Sequence, residues 1–246
     1  MNKKTRWITE LIFPPRCPGC DRVMSMDERQ HGFCEICRPK IRYTSEPICK
    51  CCGKPLEDES EELCGDCTTR RHEFVQGRAV YIYEGPMREA MYRFKYSNRR
   101  AYGRIFARDA ISRHGRWLAG INADLIVPIP MNLKKERKRG YNQATVLAKC
   151  LGNELGIEVD PRAVVRSEDT TPQKELSAIE RRQNLKNAFN IGKCVVKSKR
   201  ILLVDDIYTT GATMDAVSGT LLASGAQAVY GIYACIGLGG SARRAN

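Results

Sequence analysis

A chain of 246 residues with 42% hydrophobic positions carries enough apolar material for one sizeable core and a small additional module. Forty-one lysines and arginines against 28 acidic residues give a formal net charge of +13, which points to anionic partners without saying which anion. The basic start at residues 1–6 is followed by a stretch broken by Thr9 and Glu10 and stopped by Pro14-Pro15, and no later run is long enough to cross a membrane, so the reading is a cytoplasmic chain with neither secretory signal nor transmembrane segment.

Ten of the twelve cysteines lie before residue 151, and eight of these form four Cys-x-x-Cys pairs: Cys17/Cys20, Cys34/Cys37, Cys49/Cys52 and Cys64/Cys67. Residues 1–71 hold too few large apolar side chains to fold by burial alone, so the cysteines must supply the stability. In a reducing compartment such pairs read as metal sites rather than disulfides. Four thiolates from two pairs suit one tetrahedral structural Zn²⁺, and four pairs suit two. Sequential pairing puts Cys17, Cys20, Cys34 and Cys37 around one ion and Cys49, Cys52, Cys64 and Cys67 around the other; the spacing also allows a crossed arrangement. Cys51, inside a Cys-x-x-Cys turn, is expected to point away as a spare thiol. A strong chelator is expected to melt residues 17–67 and leave the rest folded. After Arg71 the aliphatic segments lengthen and cysteines thin out, which divides the chain into a zinc-ribbon-like module at 1–71 and a larger domain at 72–246.

Residues 74–83 alternate loosely and predict an edge strand or hairpin. Pro86 opens a helix through about residue 95, and residues 104–117 form a second with Ile105, Phe106, Ala110 and Ile111 as its apolar stripe and Trp117 packed in the core. Leu125-Ile126-Val127 is a short buried strand that Pro128-Ile129-Pro130 converts into a rigid loop at its carboxyl end. Lys134, Lys135, Arg137, Lys138 and Arg139 occupy five of six consecutive positions, with further basic clusters at 88–104 and 193–200, and read either as a solvated surface or as an anion-binding one. A helix over about 141–155 ends at Gly156, with Asn142 or Gln143 facing a ligand from its first turn. Residues 166–174 contain almost nothing to bury and precede a charged helix at 177–187; this stretch is either a lid over a phosphate ester or a solvated linker. Cys194 and Cys235 are expected in strands and Cys150 in a helix, and the tail at Arg243-Arg244 is expected to be disordered.

The most informative segment runs from Ile201-Leu202-Leu203-Val204 through Asp205-Asp206 to Thr209-Thr210-Gly211-Ala212-Thr213. Four aliphatics in a row predict a strand buried on both faces, and ligand loops follow such strands at their carboxyl ends. Two carboxylates can accept hydrogen bonds from vicinal hydroxyls, while the threonine hydroxyls, the flexible Gly211 and the start of a helix at about residue 213 can enclose an anion. Plain helix capping needs only one of these residues, and a nucleotide P-loop would end in Gly-Lys-Ser/Thr, which is missing here. The segment resembles the phosphoribosyl pyrophosphate (PRPP) motif of type I phosphoribosyltransferases. That resemblance implies an α/β fold with a parallel sheet and flanking helices. It gives Asp205 and Asp206 the ribose hydroxyls, Thr209, Thr210, Gly211, Ala212 and Thr213 the 5′-phosphate, and residues 128–132, with Pro128, Ile129 and Pro130, the pyrophosphate. Mg²⁺ would accompany PRPP, Lys95 and the basic residues at 134–139, Arg139 among them, would meet the leaving pyrophosphate, and Tyr208 would flank the sugar.

Together with the cysteine pairs, Arg139-Gly140-Tyr141-Asn142-Gln143 and the stretch from Gln173-Lys174 to Arg181-Arg182-Gln183-Asn184 make the whole chain resemble the ComF family of competence-associated proteins. Membership implies a phosphoribosyltransferase-like protein with a zinc-binding front end that handles single-stranded DNA during natural transformation, beside a helicase-like ATPase. Phe33, Tyr43 and Tyr141 are the aromatics from which base stacking is expected, each with burial as the competing role.

Overall fold

The computed structural model describes residues 14–167 and 188–238. Most of the stretch expected as loop and charged helix at 166–187, and the tail at Arg243-Arg244, lie outside those residues. Four parallel strands form the central sheet in the order β1-β6-β5-β2: β1 is Gln76–Ile82, β2 Leu125–Pro128, β5 Arg200–Tyr208 and β6 Ala228–Ile236. Val164–Arg166 (β3) and Phe189–Ile191 (β4) pair antiparallel beside it.

The aliphatic run in β5 is buried because both faces of the sheet are covered. Leu202 and Val204 pack in one cluster with Phe106 and Leu147, from helices α4 (Tyr102–Ile121) and α6 (Gln143–Leu155). Ile201 and Leu203 pack in a second with Met214, Val217 and Leu221 of α7 (Ala212–Ala223). The alternation is the period-2 geometry of a strand. Each cysteine group joins one of these clusters: Cys17, Cys34 and Cys37 the first, Cys49, Cys52, Cys64 and Cys67 the second. Two short helices, α1 (Met26–His31) and α2 (Gly65–Thr69), belong to the cysteine-rich segment.

That segment also covers the outer edge of β1, where Thr44 N–H donates to Val80 O (3.0 Å), Ile82 N–H to Arg42 O (2.9 Å) and Gly77 N–H to Cys51 O (2.6 Å). An edge that would otherwise invite pairing with another chain is thereby closed. Gly53 makes the approach possible: its φ is +77°, and a Cβ there would lie 2.8 Å from Gly77 O. Shared cores and a shared edge thus tie the cysteine-rich segment to the sheet.

Other departures are local. Helix α4 is longer than expected and bends at His114, whose Nε2 pairs with Ala79 O at 2.7 Å. Trp117 packs against the first core cluster but is only half-buried, donates from Nε1 to Gln76 Oε1 (2.6 Å) and lies beneath the Arg78 guanidinium. Helix α3 (Gly85–Tyr96) begins near Pro86 as expected, whereas α5 (Leu133–Arg139) was unforeseen, since Leu133 is its one apolar residue and no period shows. Asn132 caps α5 by accepting from Lys134 N–H and Lys135 N–H, and Gly140 ends it in the left-handed region. Cys235 is buried in β6 and Cys150 half-buried in α6, while Cys194 sits between β4 and β5 rather than in a strand.

Candidate functional site

Strand β5 is four residues longer than its aliphatic run suggests, because β6 stays paired with it as far as Tyr208↔Ile236. On the other side β2 stops at Pro128↔Val204, and Ile129 N–H closes the ladder on Val204 O at 2.9 Å. The sheet therefore opens along one edge of β5 only, beside Asp205 and Asp206. A cleft of ≈ 190 Å³ occupies the opening, lined by both aspartates, Ile129, Pro130, Lys95, Arg139, Asn142, Gln143 and Thr213 among others. It adjoins a ≈ 30 Å³ cavity formed by Asp205 and residues 207–214, including Thr209, Thr210, Gly211, Ala212 and Thr213. Asp205 and Thr213 line both.

The loop at 209–213 turns through a glycine in the left-handed region. Gly211 caps α7 at φ +76°, and a Cβ there would lie 2.4 Å from the Tyr208 hydroxyl and 2.9 Å from His72 Cε1. No side chain caps α7, in contrast to α5 and α6, so its first N–H groups are left for an anion at the positive end of the helix.

Charges in the cleft are arranged unevenly. Lys95 Nζ reaches Asp206 Oδ2 at 3.0 Å with both side chains about four-fifths buried. Burial, and then the charge of Asp206, push the Asp205 carboxyl up to about 8, against the opposing pull of the Asp206 N–H on Asp205 Oδ1 (2.7 Å) and of Lys95. Arg166, at the end of β3, also lines the cleft; its Nε is buried without a partner and it has no acidic partner among the described residues. Burial lowers its pKa.

Several expected site residues are placed differently. Pro128 is buried at the end of β2 and does not line the cleft. Arg139 lines it, but its fork is engaged, donating to Gln143 Oε1 (3.1 Å) and to the Tyr96 hydroxyl (2.9 Å). Tyr208 is buried, its ring 4.6 Å from that of Tyr233, and so is turned into the core rather than toward a sugar. Asn142 and Gln143 both line the cleft, with Asn142 donating to Ile129 O at 2.9 Å. Met131 and Asn132 of the expected 128–132 loop, Lys135 of the basic run, Ala144, and Arg166 from the start of the 166–174 stretch complete the lining. Asn132 was legible as a cap before the basic run; nothing local marked Arg166.

The cysteines group sequentially: the sulfurs of Cys17, Cys20, Cys34 and Cys37 lie within 4.8 Å of one another, as do those of Cys49, Cys52, Cys64 and Cys67. Sulfur separations of 3.7 Å (Cys20–Cys34) and 3.6 Å (Cys52–Cys64) are close to the edge of about 3.8 Å that a tetrahedron of Zn–S bonds of about 2.3 Å requires. Backbone N–H groups of Cys34, Cys37 and Cys52 point at the sulfurs of Cys17, Cys34 and Cys49, so both donor sets fit Zn²⁺. Cys51 does not point away as expected, since its sulfur lies in a group with Cys67 and His72.

The segment after the second cysteine group clasps the phosphate-type loop. Asp215, in the first turn of α7, accepts from Arg70, from Glu73 N–H (3.1 Å) and from His72 Nδ1 (2.9 Å), and Arg70 also reaches Thr210 O (3.4 Å). No sequence pattern announced Asp215, because its partners lie more than 140 positions away.

The architecture is thus a double cysteine ribbon joined to a parallel α/β sheet with a carboxylate pair and an anion-type loop at the end of a central strand. The family described as the double zinc ribbon domain matches residues 8–68. The chain is 32% identical over 222 residues to the DNA utilization protein YhgH of Escherichia coli K12 (89% of this chain, 96% of that protein). It is 32% identical over 227 residues to competence protein F of Haemophilus influenzae (89% and 95%) and 28% identical over 234 residues to competence protein ComFC of Bacillus subtilis (86% and 90%). It belongs to the ComF family of competence proteins, with an N-terminal double zinc ribbon. Among solved structures, a purine phosphoribosyltransferase from Pyrococcus horikoshii overlaps 54% of this chain and 81% of its own at 18% identity and TM-score 0.36. The phosphoribosylpyrophosphate synthetase of Mycobacterium smegmatis overlaps 52% of this chain and 33% of its own at 16% identity and TM-score 0.34. Strand order and connections, rather than these overlaps, define the architecture. No helix among the described residues is long and apolar enough to cross a membrane.

Proposed function

We propose that the cleft binds PRPP with Mg²⁺, and that the protein acts on or beside single-stranded DNA during DNA uptake, on the cytoplasmic side. The observation that carries this reading is the open edge of β5, where two carboxylates adjoin an uncapped helix N-terminus. Asp205 and Asp206 would accept from the ribose hydroxyls, and the 209–213 loop would enclose the 5′-phosphate. Lys95, Lys135 and Arg166 would face the pyrophosphate, whose charge a Mg²⁺ held near Asp205 and Asp206 would help to neutralise. Transfer would be a loose substitution at the anomeric carbon, in which pyrophosphate leaves as an acceptor atom bonds to that carbon and loses its proton. Positioning of the two groups in line would supply most of the catalysis.

The DNA part of the reading rests on α5 and α3. Lys134, Lys135, Arg137 and Lys138 are exposed and form no ion pair among the described residues. Beside them α3 exposes Tyr92 and Tyr96 (60% and 55%), rings 5.1 Å apart, with the Arg139 guanidinium 4.7 Å from the Tyr96 ring. Phe33 and Tyr141 are buried, and Tyr43 packs on Tyr81 beneath Arg113, so the aromatics expected to stack on bases are occupied by the protein itself. Tyr92 and Tyr96 would take that part.

Isothermal titration with PRPP and Mg²⁺ tests the pocket: losing either aspartate to alanine should cost about 1–3 kcal/mol, and equal affinity in wild type and the double variant refutes the assignment. Pyrophosphate release measured with nucleobases and with single-stranded DNA separates a transferase for a small acceptor from one acting on DNA. Binding without release with any acceptor favours the non-enzymatic reading, an adaptor that binds DNA or protein.

A further inference from the structure

A third group of metal-ligand atoms lies between the second ribbon and the phosphate-type loop. The sulfurs of Cys51 and Cys67 and a ring nitrogen of His72 are all within 4.8 Å of one another. The His72 side chain is 1% exposed. Its Nδ1 is held by Asp215 at 2.9 Å, while its Nε2 is buried with no hydrogen-bond partner. One ring nitrogen of His72 lies near two thiols, and its buried Nε2 is left without a partner, which is costly unless something occupies the space, because a polar atom removed from water forfeits its hydrogen bond. The arrangement is the one metal-ligating histidines adopt, with one nitrogen oriented by a carboxylate and the other free to bind.

We propose that Cys51, Cys67 and His72 Nε2 bind an additional Zn²⁺, with Cys67 as a thiolate bridge to the ion of the second ribbon. Two sulfurs and one imidazole nitrogen form a donor set that Zn²⁺ accepts, and three protein ligands leave its fourth position open. Cys51 is partly exposed, which gives the ion a route in. Binding releases one proton from the Cys51 thiol; the Cys67 thiolate is already deprotonated on the ribbon ion, and His72 coordinates as the neutral imidazole with its Nδ1 proton on Asp215. The ion would join the ribbon to the first turn of α7 through a single side chain. This inference is independent of the PRPP reading and would survive its failure.

The test is zinc stoichiometry by elemental mass spectrometry on the full chain, reconstituted with zinc alone under reducing conditions and desalted. Three zinc ions per chain are expected for the wild type and two for Cys51→Ser, a small substitution outside both four-cysteine groups. His72→Asn should also hold two. Cobalt substitution gives a second readout, with the Cys51→Ser protein losing one cobalt and its share of the sulfur-to-cobalt charge-transfer absorbance. A wild type that binds two ions, or a Cys51→Ser protein that retains the same number as the wild type, overturns the proposal. In either case His72 is only a neighbour of a zinc-bound thiolate.

Discussion

Asp205 gives the PRPP reading its sharpest consequence, because its carboxyl is pushed up to about 8 by burial and by Asp206. If ligand binding requires the carboxylate, the free protein must first lose a proton. With a pKa of about 8, roughly a quarter of the molecules are ionised at pH 7.5 and nearly all at pH 9.5. Apparent affinity scales with the competent fraction, so PRPP with Mg²⁺ should bind about fourfold more weakly at pH 7.5 than at pH 9.5. Binding at pH 7.5 should release about three-quarters of a proton, and at pH 9.5 almost none. Both values lie above the second ionisation of a phosphate monoester near about pH 6, so the ligand does not supply the signal. Titration calorimetry in two buffers of different ionisation enthalpy measures the released proton directly. Asp205→Asn should abolish it. Folding stability gives an independent check with a fixed sign. A carboxyl whose pKa is raised on folding keeps a proton that the unfolded chain has lost, so stability is greatest below the unfolded pKa of about 4 and falls as pH rises to about 8. Denaturation midpoints of the ligand-free protein should decline across that window, and less steeply in Asp205→Asn. Proton release that is absent at pH 7.5, together with equal slopes in the two proteins, would refute the argument.

Gly211→Ala should destabilise the protein by about 2–5 kcal/mol in urea unfolding, combining about 1–2 for a left-handed alanine with about 1–3 for overpacking against Tyr208 and His72, and an effect under about 1 kcal/mol would mean that the loop relaxes freely. Zinc removal should reach the central sheet: hydrogen exchange of the Gly77 and Ile82 amides, whose acceptors are Cys51 O and Arg42 O, should speed up on chelation, and unchanged protection would show that the ribbons detach without consequence. Replacing both Tyr92 and Tyr96 with alanine should weaken binding of a labelled single strand by about 1–3 kcal/mol per stacked base, with little change in salt dependence, since phosphate contacts are untouched. Fluorescence anisotropy against an abasic strand of equal length is the control, and equal losses on both strands would exclude stacking.

What the sequence disclosed follows the range of the interactions involved. Contiguous signals were read correctly: the aliphatic run at 201–204 is a strand covered on both faces, and the β2 ladder ends within Pro128-Ile129-Pro130. Cysteine spacing gave the donor sets, and the structure chose the sequential grouping over the crossed one. Roles that depend on distant partners left no local trace. Strand β5 extends past its aliphatic run because β6 continues beside it, which places Asp205 and Asp206 on a paired strand with one free edge rather than in a loop. Arg166 becomes a cleft cation only when β3 brings it there, and Asp215 matters only because Arg70, His72 and Glu73 return to it across the fold. Composition marked the boundary near residue 71 and left the packing across it unseen. A cysteine-rich segment with few large apolar residues reads as a separate module, yet those few, among them Phe33, Met24 and Ile41, pack with Tyr81 and Phe106 in the first cluster. The ribbons thus complete the core of the domain that carries the cleft, and the residues between the second ribbon and β1 hold the first turn of the helix beneath its anion-type loop. The segment that leaves the second ribbon thus touches, through Arg70, His72 and Asp215, the residues that would grip a sugar phosphate.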